Sequence, residues 1–570
     1  MDIATLQREL TAFAARNQLG EDPLAKLYPE RRKAWSLFAR GISDKECEAL
    51  RPYVLTCAKI PQKPGDPAPR LANFIDGTWR APARGEFASM KSQADRRVTL
   101  FELPASTSED VEAGVSAGDR YWKSMAWAEE GLGYRKLVIQ NFSRLLEYFY
   151  EECIHELRQQ TPKTKLEADK DFFEAKRAAD HLQGNAETAL RGEMVPQMVP
   201  GQSYWRDSYL PAGLAAIITP MNFIYGIPAI HLVGAYLSGC PFIFKGHPFS
   251  GLTNTTLIRL MLAAGADPHQ LQKVEGFGKG VSQLAADPRV AVVAVTGSAD
   301  TARAMQTVRG LQRLRFEGGG CNWSYVDDGY SKEELTRIAE RLTYSKLGLS
   351  SHKCTGLHGV AGSKKTLDVL LPLIDAEMGR WEVRDPRGEG TKVVGPLMVH
   401  KAQTAIDLVA AAKRAGLNVV RAGERGGGTW GENAEVVGPS IIAGVTPATA
   451  LSVDWDGKGV RNFHIATEEL FMPVLVAMEL ASFDDFVRFS LFENPHDLAT
   501  SIWTRDDAKL QRARRRLGGM LKENDGTDSA LEWEEFGAST IGESGNMGVG
   551  EAQATLSIYA RRQKGRHFVF

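Results

Sequence analysis

The chain is 570 residues long, 43% hydrophobic and 24% charged, too long for one simple core and too apolar for a disordered chain. Its 69 basic and 70 acidic residues leave a net charge of −1, so no global field draws it to nucleic acid or to an anionic membrane. Six scattered cysteines (Cys47, Cys57, Cys153, Cys240, Cys321 and Cys354) form no CxxC pair and no Cys/His cluster, so neither a disulfide framework nor a bound metal is expected.

Residues 1 to about 60 carry the spacing of amphipathic helices, with Leu6, Leu10, Phe13 and Ala14 on one face, and a proline-rich connector follows at 61–67. The opening stretch has no basic flank with an apolar core, so no secretory signal is expected. A strand and tight turn are predicted at 74–79, and helical periodicity dominates from about 108 to 190. From Leu214 the pattern alternates. Strands are predicted at 214–218, 241–245 and 290–295, helices at 227–239, 252–264 and 299–308, and an extended segment at 313–316. Short apolar runs separated by helices predict a parallel sheet with crossover helices. A second alternating block is expected from Ser331 to about Ala508, and the tail, 525–570, is glycine-rich and then strand-like near 556–560. The longest apolar stretch, around 224–237, is broken by Gly226, Pro228, His231 and Gly234. It falls short of the roughly 20 residues of a membrane helix. A cytoplasmic enzyme with reduced thiols is the expectation.

Several residues stand where chemistry could happen. Lys245 ends a predicted strand, the end of a parallel sheet beyond which ligands sit, though a surface lysine would look the same. Gly276, Gly278 and Gly280 follow another strand and would let a backbone approach a dinucleotide, but they lack the full fingerprint spacing. Gly297 and Ser298 sit between strand and helix, where Ser298 caps the helix or its turn meets a phosphate. Cys354, Glu317 and the amide of Asn222 supply a nucleophile, a base and an oxyanion donor.

In this order, the segments 218–223, Lys245, 276–280, 296–298, Glu317-Gly318-Gly319, Cys354 and 468–474 resemble the aldehyde dehydrogenase superfamily over roughly residues 70 to 550. The resemblance implies an α/β fold: a Rossmann-like cofactor domain, a second α/β catalytic domain and a β oligomerisation element. On the expected boundaries, 1–69 is an N-terminal helical extension and 70–193 with 210–318 is the NAD(P)-binding domain. Residues 319–524 form the catalytic domain, and 194–209 with 525–570 the oligomerisation element. A homodimer or homotetramer is implied. Cys354 is then the expected nucleophile, Asn222 the oxyanion donor and Glu317 the base that activates water. Thr219, Lys245, His247, Gly278, Gly297, Ser298, Glu469 and Phe471 are the expected cofactor contacts, and Thr355 and His352 the expected substrate contacts.

The departures from the superfamily pattern mark a divergent branch. Ser351-His352 replaces a glycine-glutamine pair, while Lys353 preserves a variant of the pyrroline-carboxylate branch. Gly318, Cys321, Met472 and Met221 stand where an aliphatic residue, a lysine, a glycine and an aromatic are usual. Pro248 stands where members preferring NAD often carry a glutamate, and His247 resembles members that accept NADP, so NADP is expected to be tolerated or preferred. The expected reaction is oxidation of an aldehyde, an acid semialdehyde being one candidate, to a carboxylate through a cysteine thiohemiacetal and thioester. Transfer of the acyl group to coenzyme A is the first alternative, against which Glu317 speaks. A catalytically idle scaffold or binding subunit is the second, against which the joint retention of Cys354, Glu317 and Asn222 speaks.

Overall fold

A computed structural model describes residues 3–38, 41–54, 60–191, 194–195, 202–310, 313–398, 401–496, 498–531, 533–534, 536, 544–545 and 548–568. Its largest sheet has eight strands, in the order Gly20–Glu21, Thr78–Arg80, Asn73–Ile75, Leu271–Lys273, Phe242–Lys245, Leu214–Ile218, Val290–Thr296 and Arg313–Glu317. The last five run parallel to one another, and Leu271–Lys273 pairs antiparallel with Asn73–Ile75. Leu214–Ile218 and Phe242–Lys245 are buried at every position, as strands covered on both faces must be. Helices Gly226–Ser238 and Gly251–Ala264 pack there and end on Gly239 and Gly265, both in the left-handed conformation that terminates a helix. From Leu214–Ile218 the chain first lays strands to one side and then returns to lay Val290–Thr296 on the other. The switch point lies at the carboxyl end of Leu214–Ile218, from which Thr219 to Asn222 emerge.

The second sheet has seven strands, in the order Asn418–Arg421, Ser440–Ala443, Val474–Glu479, Leu357–Gly362, Asn322–Val326, Ala499–Trp503 and Met520–Glu523. All but the first run parallel. Cys354, Asn322 and Phe471 lie at the amino ends of these strands, whereas Glu317, Lys245 and Thr219 lie at the carboxyl ends of the first sheet's strands. The two sheets therefore meet end to end across a cleft. A third sheet joins Ala560–Phe568, Gln202–Pro211 and Met194–Val195.

Two expectations are revised. The segment near 556–560, expected as strand, is mostly helix Ala552–Ile558, whose face buries Leu556 and Ile558, and the strand starts only at Ala560. The region before residue 60, expected as helices alone, also supplies strand Gly20–Glu21 to the large sheet. Buried Asp22 fixes that edge: it accepts from Trp79 Nε1 at 2.6 Å, Tyr53 OH at 2.7 Å and the Leu24 N–H at 2.7 Å. Arg31 donates to the Leu262 carbonyl at 3.0 Å, at the carboxyl end of Gly251–Ala264.

Candidate active site

Helix Lys332–Leu347 begins in a capping box of Ser331 and Glu334 and delivers the chain to a tight 3-10 turn, Gly348–Ser351. Leu349, Ser350 and Ser351 take φ of 55°, 53° and 68°, a left-handed run that side chains disfavour. Bonds to remote segments hold it. The Leu349 N–H donates to Glu167 at 2.5 Å, the Gly395 N–H to Ser350 Oγ at 2.7 Å, and Ser351 Oγ to the Lys346 carbonyl at 2.7 Å. Next in the chain, Lys353 forms a buried ion pair with Asp528 at 2.8 Å, which Arg341 shares at 2.6 Å. Asn322 donates to the carbonyls of Cys354 at 2.7 Å and Gly356 at 2.8 Å, and its oxygen accepts from the Ala499 N–H at 2.9 Å.

His352, an expected substrate contact, also ties into this brace. Its Nδ1 lies 3.1 Å from the Leu349 carbonyl and its Nε2 accepts from the Met398 N–H at 3.2 Å. That pairing fixes a neutral ring with the proton on Nδ1. The ring stands edge-on against Phe471, with centroids 5.2 Å apart. It thus fills space between the nucleophile turn and the cofactor side.

Cys354 itself is half-buried. Burial, with the charges of Glu317, Glu469 and Glu174, pushes its thiol up, while the Thr355 backbone N–H pulls the other way. Thr355, expected at the substrate, is buried, and this backbone contact to the sulfur is its link to the site. Asn222 donates through Nδ2 to the His352 carbonyl at 3.0 Å, which brings its amide to the nucleophile turn. Its segment is anchored by Asp171, which accepts from the N–H groups of Ile224 at 3.0 Å, Tyr225 at 3.1 Å and Gly226 at 2.9 Å. Lys163 pairs with Asp171 at 2.7 Å in full burial. Glu317 closes strand Arg313–Glu317, where its carbonyl accepts from the Gly297 N–H at 3.0 Å. Both its carboxylate oxygens are buried without a hydrogen-bond partner among the described residues, and burial pushes its carboxyl well above the usual range. A buried acid left without donors is placed to exchange a proton with something that enters.

Of the expected cofactor contacts, Lys245 lines one cavity and Glu469 and Phe471 another. Lys245 is buried, donates to the Gly246 carbonyl at 3.1 Å, and is brought down to about 8 by burial. Gly278 and Gly297 open onto space in which an added Cβ would meet no atom within 4 Å, and Thr219 Oγ1 is buried with no partner. Two open glycines beside helix starts and an orphaned hydroxyl fit a dinucleotide backbone. Ser298 caps helix Ala299–Arg309 through the Thr301 N–H at 3.3 Å. Glu469 accepts from the Gly320 N–H at 3.1 Å and rises to about 7 through burial. It shares a cavity with Phe471, Gly320 and buried Lys346, which sequence reasoning missed. Burial brings Lys346 down to about 7, with Cys321 and Glu469 pulling it up. His247, another expected cofactor contact, is half-buried beside Lys245. Its Nδ1 accepts from the Phe249 N–H at 3.2 Å, and burial with the charge of Lys245 brings it to about 3. A neutral imidazole offers a 2′-phosphate no positive charge.

Nothing in the sequence pointed to Asn322, Glu167, Asp171 or Asp528, because each acts on a partner far away in the chain. Among the described residues, no group of three His, Cys, Asp or Glu side chains could hold a metal ion, and no helix is long and apolar enough to cross a membrane.

The aldehyde dehydrogenase family pattern matches residues 79–559. The chain belongs to the aldehyde dehydrogenase family. Its activity is NAD(P)-dependent aldehyde oxidation. It is 24% identical over 449 residues to the acylating methylmalonate-semialdehyde/malonate-semialdehyde dehydrogenase of Rattus norvegicus, covering 77% of this chain and 78% of that relative. It is also 24% identical over 478 residues to malonate-semialdehyde dehydrogenase 2 of Bacillus cereus, covering 82% and 92%. In fold it matches an indole-3-acetaldehyde dehydrogenase crystallised with NAD+, at a TM-score of 0.79 and 23% identity over 88% of this chain and 97% of that one.

Proposed function

We propose that this aldehyde dehydrogenase releases its product by hydrolysis, with Cys354 as nucleophile, Asn222 as oxyanion donor and Glu317 as base. The observation that carries this reading is the buried Glu317 carboxyl with two unpartnered oxygens, electrostatically coupled to the Cys354 thiol. Cys354 Sγ attacks the aldehyde carbon as its proton passes to solvent water. The oxygen that becomes negative is met by the Asn222 amide and the Cys354 N–H. The bound dinucleotide supplies the hydride acceptor that turns the thiohemiacetal into a thioester. Glu317, once ionised, takes a proton from a water that attacks the thioester carbon, and the S–C bond breaks to give carboxylate and free thiol. Burial raises its proton affinity, which makes it a stronger base than a solvated carboxylate.

The acceptor is where a second reading enters, since the rat relative's name carries the word acylating. Product formation with and without coenzyme A separates the two. Full turnover in its absence is expected, and a strict requirement for it would assign the acyl group to the thiol instead. For the aldehyde, the relatives' names favour a short acid semialdehyde. Glu174, raised to about 8 by burial and Asp171, is a neutral acid at pH 7 and does not repel such a substrate. A panel of semialdehydes, aliphatic and aromatic aldehydes ranks them by kcat/KM. A homodimer or homotetramer is supported by the third sheet, where Ala560–Phe568 has no strand beyond it among the described residues.

A further inference from the structure

Lys245 and Glu275 leave neighbouring parallel strands at the same carboxyl end, since Phe242–Lys245 pairs with Leu271–Lys273 in the register Phe244 to Lys273. Both line one cavity of about 220 Å³ of empty space, with Gly276, Phe277 and Gly280 on its rim. This cavity shares no lining residue with the cavity beside Glu469 and Phe471. Its chemistry is that of a ribose site: a lysine and a carboxylate side by side, glycines that admit a close approach, and a half-exposed ring in Phe277.

Glu275 is held rigidly. Its N–H donates to Asn73 Oδ1 at 2.9 Å, and its Oε1 lies 2.9 Å from the Lys273 ammonium. Asn254 Nδ2 reaches Oε1 at 3.3 Å and Oε2 at 3.4 Å. Each carboxylate oxygen accepts two hydrogen bonds, so Oε2, with only the long amide contact, keeps capacity for a hydroxyl donor. Pro248 leaves the Lys245 strand end without a carboxylate of its own, and the next strand supplies one. No arginine is among the residues lining the cavity, and His247 beside Lys245 is neutral.

Resting on the dinucleotide-dependent reading above, we infer that Glu275 reads the 2′ position of the cofactor's adenosine ribose and makes the site select NAD over NADP. A 2′-hydroxyl donates to the carboxylate. A 2′-phosphate would set two negative groups against each other, in a cavity where Lys245 is the one lysine among the described lining residues and Lys273 is already paired with Glu275. This reverses the preference suggested by Pro248 and His247 in the sequence.

Direct binding tests it without turnover, by calorimetry of ADP-ribose and 2′-phospho-ADP-ribose on the whole protein. The wild type should bind ADP-ribose at least about tenfold more tightly, and Glu275→Gln should narrow that gap to under threefold. Because that change strands Lys273, the double variant Lys273→Met/Glu275→Gln, which removes the ion pair as a unit, should narrow it equally. Equal binding by the wild type, tighter binding of the 2′-phosphorylated ligand, or an unchanged ratio in both variants would overturn the inference and leave the oxidation chemistry standing. If neither ligand binds, both the inference and the dinucleotide-dependent reading fail.

Discussion

At the nucleophile end of the cleft, left-handed backbone falls on Leu349, Ser350 and Ser351, at φ of 55°, 53° and 68°. At the adenosine end it falls on Gly276, at 134°, where no Cβ pays for it. Side chains in that conformation cost of order 1–3 kcal/mol each and persist only where the surroundings over-determine them. Around Cys354 the surroundings do so, through Glu167, Asn322, Gly395, Met398 and Asp528, drawn from four remote segments. One end of the cleft is therefore braced from outside and the other is permitted by its own sequence. Remote substitutions should disturb chemistry at the first end, and local ones should change ligand choice at the second.

Three experiments bear on that contrast, from the largest expected effect to the smallest. Removing the oxyanion donor with Asn222→Ala should lower kcat by roughly 10²–10³-fold while leaving ADP-ribose affinity within twofold. A comparable loss in affinity would mean that the two ends are not separable. Asn322→Ala removes the tie to the Cys354 and Gly356 carbonyls without touching either ligand. Each buried carbonyl left without a donor costs about 1–3 kcal/mol, so the melting temperature should fall by several degrees and kcat by roughly tenfold to a hundredfold. Unchanged kinetics would show that the turn holds itself. The smallest effect concerns Glu174, whose carboxyl is raised to about 8 in the folded chain against an ordinary 4.5. A raised carboxyl contributes stability that is complete below pH 4.5 and lost as pH climbs through 8. Glu174→Gln should therefore gain melting temperature relative to wild type between pH 5 and pH 9. A gap independent of pH would contradict that assignment.

The same contrast explains what could be read without coordinates. The parallel sheet was legible because its strands are short, continuously apolar and separated by helices. Cys354, Glu317 and Asn222 were legible only as a set. The brace was not, since hydrogen bonds such as Leu349 to Glu167 join residues 182 positions apart and leave no local pattern. His352 shows the same limit. A histidine beside a nucleophile suggests chemistry, yet both its nitrogens are taken by backbone groups that only the fold brings near. Glu275 carries no signal of its own in the sequence, because only the pairing of two strands brings it to the Lys245 strand end. At the chain's start, helical spacing hid a two-residue strand too short to alternate.

The most direct test of the account is intact-mass and peptide spectrometry of Glu317→Gln incubated with a turned-over aldehyde and dinucleotide. With the base removed and coenzyme A absent, the account predicts a stoichiometric acyl adduct on the peptide containing Cys354, together with a burst of reduced cofactor and little further turnover. An unmodified Cys354 alongside undiminished turnover, or an adduct on another cysteine, would contradict it.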